Sequence, residues 1–351
     1  MTEFLQLHAL TSYPPANLNR DDLGRPKTAV FGGCNRLRIS SQSLKRAWRQ
    51  SAVFQEAVGS HRGWRTRELG KRWVFDPLKA GGADDKLAEK TAEAVAGVFG
   101  KQDDDKKLTR QLVHVSPEEK AAIDALVATV LAERREPTAE ELKLLRREHR
   151  AADIALFGRM LADEPSFNVE AAAQVAHALT VHPVTIEDDY FTAVDDLNDR
   201  KEDAGAGHVG ESEFGAGVFY LYLCIDRDRL VENLQKDEEL ARRTLRGLAE
   251  AVCTIAPSGK QNSFASRAYA SFALVEKGHR QPRSLAVSFL GGIADGDYVA
   301  GAIQALDREL QAFDKVYGQL ARDRRRFDVP AGEGSLAELA DFFADPAETA
   351  P

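Results

Sequence analysis

Residues 2–10 constrain the fold of this chain most. Leu5, Leu7 and Ala9 alternate with Phe4, Gln6, His8 and Leu10, so a strand built from them is largely apolar on both faces, as a central strand is. Residues 218–225 read as a second strong strand. Phe219, Leu221, Leu223 and Ile225 line one side of it, and Val218, Tyr220, Tyr222 and Cys224 the other. Two further strands are expected at 174–182, from Val175, His177, Leu179 and Val181, and at 268–275. Helical periodicity fills 41–58, which ends at Gly59, and 237–255, which stops before Pro257. The order is βαββαβ, an α+β arrangement with the ferredoxin-like split that RNA-recognition modules use, although the aromatic RNP motif is missing.

Two segments interrupt that order. Residues 61–150 read as a helical insertion. It has an apolar stripe of Leu87, Val95 and Val98, a capping box with proline at N1 (Ser116, Pro117, Glu118, Glu119), and a second box at Thr138 and Glu141 opening a helix that ends in Arg146, Arg147 and Arg150. At its start Trp64 and Trp73 interleave with Arg65, Arg67, Lys71 and Arg72; the spacing is that of an amphipathic helix with core tryptophans as well as of a stacking surface. Residues 153–161 and 284–289 read as strands, 298–317 and 336–343 as helices. The excursion 183–217 is too long for a tight turn and reads as a protruding arm that exposes Tyr190 and Phe191.

Charge is segregated along the chain. Between residues 18 and 73 there are thirteen Lys or Arg and four acids, in a protein whose formal charge is -8. Within that segment Arg36, Leu37, Arg38 and Ile39 alternate basic with apolar, so the cations should face solvent and the others the core. Ser40, Ser41 and Gln42 begin a helix, where unpaired backbone amides suit a capping side chain or an anion. Leu44, Ala47, Trp48 and Ser51 fall on one face of that helix, and Gln42, Lys45 and Arg49 on another. Arg46 sits off that row. Arg20 and Lys27 lie in a turn-rich loop that can fold over the helix start. An ordinary solvated helix face would look similar, but local excess charge of this size fits a phosphate backbone.

At 351 residues and 43% hydrophobic content the chain can hold a large core. It has no leader-like N-terminus and no run of about eighteen apolar residues, so a cytoplasmic protein with no membrane partner is expected. Cys34, Cys224 and Cys253 are isolated, and no histidine pair has metal-site spacing, so neither metal nor cofactor is expected.

The sequence resembles the CasC-type backbone subunit of the type I-E CRISPR Cascade complex, in the repeat-associated RNA-binding superfamily (RAMP). The matching residues are Leu18 to Asp22, Phe31 to Gly33, Arg38 to Ala47, Asp153 to Leu156, Gly158 to Met160, Ala176 to Ala178, Phe191 to Leu197 and Gly217 to Tyr220. The resemblance implies a hand-shaped subunit. Its palm would be ferredoxin-like (1–60, 151–183 with the return strands, and 218–351 with the C-terminal helices), its fingers helical (61–150) and its thumb the arm (184–217).

It further implies that copies stack head to tail along CRISPR guide RNA (crRNA) beside other Cascade subunits and present the guide to a target DNA strand. The implied phosphate-holding residues are Arg20, Lys27, Ser40, Gln42, Lys45 and Arg49, with Arg46 ranked below them. Arg49 stands where the family has lysine, and keeps the charge but not the geometry. Tyr190 replaces a family tryptophan and, with Phe191, Thr192 and Val194, forms the implied thumb contact to the RNA. Met160 matches a methionine that wedges against bases, although its own spacing reads as strand core. The alternative reading is a metal-independent RNA endonuclease using His8, His177 or His182 as acid or base. No His-Lys-Tyr cluster singles one out, and Asp21 and Asp22 lie close enough to Arg20 to pair with it, so no catalytic residue is assigned.

Overall fold

The computed structural model describes residues 2–193, 208–294 and 296–346, with only the backbone at 193, 208 and 209. The chain opens with β1 (Phe4–Ala16), β2 (Thr28–Phe31) and β3 (Cys34–Ile39), then α1 (Ser41–Gln50) and α2 (Ala52–Val58). An inserted stretch carries β4 (Trp64–Thr66), a π-helical turn (Gly70–Phe75), α3 (Asp76–Ala80), α4 (Asp85–Phe99), β5 (Val113–Val115) and α5 (Pro117–Glu133). There follow α6 (Ala152–Phe157), β6 (Ala173–Val175), β7 (Ala178–Thr180), β8 (Glu187–Ala193) and β9 (His208–Asp226). The last part holds α7 (Arg227–Asn233), α8 (Glu238–Thr254), α9 (Gln261–Phe264), β10 (Ala270–Gly278), α10 (Tyr298–Tyr317), β11 (Asp323–Asp328) and α11 (Leu336–Ala344).

The result is a mixed α+β protein on an antiparallel sheet of order β11-β10-β1-β9-β7-β3-β2, with β6 and β8 pairing β9 beside that path. β1 is central, with Leu7 opposite Val275 on β10 and Leu223 on β9. Its two apolar faces meet two different layers. Leu5, Leu7 and Ala9 join Trp48, Phe54, Leu245, Leu248 and Phe343 under α1, α2, α8 and α11; Leu10 joins Phe272, Phe289 and Leu306 under α10. Burying each such large side chain contributes roughly 1.5–3 kcal/mol. Gly247 lets α2 and α8 touch, because a Cβ there would lie 2.5 Å from Ala57 Cβ. The inserted stretch has its own core, Leu69, Val74, Val95, Phe99, Ile123 and Val130 among others, and Leu161 belongs to it.

Local differences from the sequence reading have identifiable causes. The helix expected over 41–58 is two helices, because Ser51 adopts an extended backbone, ends α1 by bonding Trp48 O and caps α2 by accepting from Phe54 N. The reciprocal Thr138–Glu141 bonds do form, but they close a turn and no helix follows. The acids of α5 compete for that backbone: Glu119 accepts from Arg146 N and Glu118 from Arg150 N. Residues 152–157 form α6 instead of a strand, 286–289 a 3-10 turn, and the strand expected over 174–182 breaks between β6 and β7. Trp64 lies on β4, edge-on to Trp73 at 5.8 Å, so no single helix carries both. The short edge strand β11 has too few apolar residues for periodicity to announce it. No helix among the described residues is long and apolar enough to cross a membrane.

Candidate nucleic-acid interface

Ser40 stands at the turn from β3 into α1. Its hydroxyl accepts from Ser43 N at 3.4 Å, and its own N–H donates to Asn19 Oδ1 at 2.8 Å, which folds the loop carrying Arg20 and Lys27 against the helix start. Lys27 N–H donates to Asn19 O and Arg38 N–H to Lys27 O, fixing that loop along β3. Arg38 reaches His177 Nδ1 at 3.0 Å. Partial burial and then the nearby charges of Arg38, Lys27 and Lys45 depress the His177 pKa.

The second cation of the β3 alternation lies elsewhere. Arg36 is fully buried, donating to the carbonyls of Phe289 at 3.0 Å, Thr180 at 3.4 Å and Phe31 at 3.4 Å. The expectation that both arginines face solvent therefore fails at Arg36: backbone carbonyls of β2, β7 and the 286–289 turn supply acceptors that the strand pattern does not reveal.

α1 divides the remaining cations between two clefts. On one side Gln42, Lys45, Arg46 and Arg49 meet Arg65, His114 and Phe157 around a space of about 130 Å³. On the other, Arg20, Arg46 and Lys260 line a wider opening of about 670 Å³ with Asp21, Asp22 and Gln50. Asp21 does not pair with Arg20 here; its carboxylate accepts from Leu23 N and Arg25 N and shapes the loop.

The narrow cleft rests on Asp153, which is fully buried. Gly63 N–H donates to its Oδ1 at 2.7 Å, and His114 Nε2 and Arg49 Nη1 donate to Oδ2 at 2.9 and 3.3 Å. Burial alone would raise the carboxyl pKa, but these donors, His114 first, bring it down to about 2. Burial lowers the His114 pKa, so the ring stays neutral, with its proton on Nε2 and Nδ1 left as an acceptor without a partner among the described residues. Arg49 is thus not a free member of the exposed row that its spacing suggests; its side chain is only 10% exposed. Lys45 remains unpaired by any carboxylate among the described residues, its ammonium 6.0 Å from the Phe157 ring centre, and burial and then Arg65 depress its pKa.

Met160 is 83% exposed, not core, and borders a cleft with Lys101, Arg110 and Leu112 on the inserted unit. Tyr190, Phe191 and Thr192 are exposed on β8 of a long hairpin with β9. The Phe191 ring covers Gly210, where a Cβ would come within 2.4 Å of it. Val194 lies outside the described residues. His8 is buried between Tyr220 OH and Glu276, and His182 stacks on Tyr298 with Nδ1 donating to Pro183 O, so the candidate histidines have separate surroundings. Arg65, His114, Phe157 and Lys260 were not singled out as site residues from the sequence. Arg65 lies within the basic segment, but nothing in its spacing shows that β4 aims it at α1.

The fold and the cleft define an α+β protein that gathers cations from several elements around one helix start. The chain belongs to the CT1975-like protein family, whose model matches residues 5–342. It is similar to a chain of a solved CRISPR RNA-guided surveillance complex, pre-nicking, with 31% identity and a TM-score of 0.83 over 97% of this chain and 99% of that one. A chain of a second CRISPR RNA-guided surveillance complex is 26% identical with a TM-score of 0.72, again over 97% and 99% of the two chains. No match is found among curated proteins.

Proposed function

We propose that this chain is a CasC-type backbone subunit of a type I-E Cascade complex, binding crRNA without cutting it. Copies assemble head to tail along the guide, join other Cascade subunits in the cytoplasm, and present the guide for pairing with target DNA. The observation that carries this reading is the 31% identity over nearly the whole chain to a chain of a CRISPR RNA-guided surveillance complex.

The site adds a physical rationale. Cations and helix-start amides hold phosphates without reading sequence, and base pairing then supplies specificity. Counting β1, β6 with β7, β9 and β10 as strands one to four gives the order 4-1-3-2, which supports a ferredoxin-like palm with α1–α2 and α8 as its crossovers. The separate core of the inserted unit supports fingers, and the β8–β9 hairpin supports a thumb. An open head-to-tail interface generates a filament, as a backbone requires.

The test is coexpression with partner subunits and a CRISPR array, followed by sizing and RNA extraction. Guide-length RNA in a complex containing several copies is expected; a chain that elutes alone and free of nucleic acid would refute the reading. Cleavage of labelled precursor RNA in EDTA by the purified chain would replace it with the endonuclease.

A further inference from the structure

β4 and β5 form a two-stranded ribbon in the inserted unit, and Arg65 pairs directly across it with His114. Cross-strand partners rise from the same face, so both side chains point toward α1 and line the cleft with Lys45 and Arg49. Asp153 beneath them is already occupied by Gly63, His114 and Arg49. Among the described residues no carboxylate lies within ion-pair distance of Arg65 or Lys45. Burial and then the charge of Arg49 depress the Arg65 pKa, as crowded cations do. A cleft that gathers like charges and leaves two of them uncompensated is stabilised by an anion placed between them.

We propose that Arg65 is a phosphate ligand, closing with Lys45 a two-sided clamp on one phosphodiester of the bound strand. The strand then bridges α1 and the inserted unit, and the clamp exists only where those two parts meet. This inference rests on the RNA-binding reading above.

The test uses the full chain and a labelled single-stranded RNA, with affinity measured across a series of salt concentrations. Arg65→Gln is expected to weaken binding about tenfold and to reduce the slope of log affinity against log salt by about 0.7, one released counterion. Arg65→Lys keeps the charge and should keep the slope. Arg72→Gln removes a cation of the same segment that pairs with Glu68 outside the cleft, and should leave the slope unchanged. Lys45→Ala combined with Arg65→Gln should lose less than the two single losses together, because both act on one phosphate. An unchanged slope in Arg65→Gln, or strictly additive losses, would overturn the clamp while leaving the RNA-binding reading intact. Failure of the wild-type chain to bind RNA at all would overturn both.

Discussion

The Arg49 guanidinium donates to the Asp153 carboxylate across 3.3 Å, with both groups shut away from solvent. Removing one side of a buried ion pair strands the other. Asp153→Ala also leaves His114 Nε2 and Gly63 N–H without their acceptor, so it should cost about 3–5 kcal/mol of stability in urea unfolding. A loss below about 1 kcal/mol would show that water reaches this network. Arg49→Ala should destabilise too, so weaker RNA binding in that variant is interpretable only beside its unfolding curve.

Acid should unfold the protein in two stages. Burial lowers the pKa values of His8, His114 and His149. Between their folded values and the unfolded value near 6.5 the unfolded chain binds more protons, so stability is full above that pH and falls as pH drops below it. The Asp153 carboxyl, held at about 2, adds a second loss as pH falls from about 4 toward 2. Melting temperature measured from pH 7 to 3 should therefore decline throughout, and His149→Asn should flatten the first stage. A flat profile between pH 7 and 5 would contradict the burial of these rings.

Ser51 ends one helix and starts the next with a single hydroxyl, donating to Trp48 O at 2.7 Å and accepting from Phe54 N at 3.2 Å. Ser51→Ala should cost about 1–2 kcal/mol. Ser51→Asp restores the acceptor but not the donor and should recover part of that loss, as read by chemical denaturation of the three proteins.

Arg36 serves three carbonyls from one planar fork. An ammonium cannot span the same positions, so Arg36→Lys should destabilise by about 1–3 kcal/mol despite keeping the charge. A thermal unfolding midpoint equal to that of the wild type would show that the charge alone matters.

Met160 projects into solvent, so Met160→Ala should change stability by less than about 0.5 kcal/mol. Weakened RNA binding by that variant, with an unchanged unfolding curve, would separate recognition from folding; unchanged affinity would remove Met160 from the interface.

Much of the sheet could be read from periodicity, because β1 and β9 carry enough apolar residues on both faces to declare themselves. Helix starts with a capping side chain were also legible: Ser116 and Asp237 begin α5 and α8 where the pattern places them. What escaped depends on partners distant in sequence. Arg36 looks like a surface cation until the carbonyl of Phe289 is folded against it. Arg49 has the spacing of a phosphate contact, yet Asp153, 104 residues away, holds it. Local propensity also yields to long-range bonds at residues 138–150, where Glu118 and Glu119 take the backbone amides and the second capping box opens no helix.

β9 is one strand of 19 residues, running from His208, the outermost described residue paired with β8, to the cap of α7. At about 3.3 Å per residue it is a rod roughly 60 Å long, clamped along β1 for much of its length and cantilevered beyond. Such a rod acts as a ruler. Deleting two residues from both β8 and the part of β9 beyond β1 would draw the Ala193–His208 pair in by about 7 Å and keep every side chain on its side. Deleting one from each would exchange the faces on which Tyr190 and Phe191 stand, so the reach of the arm and the side its aromatics face are set by separate changes to the same strand.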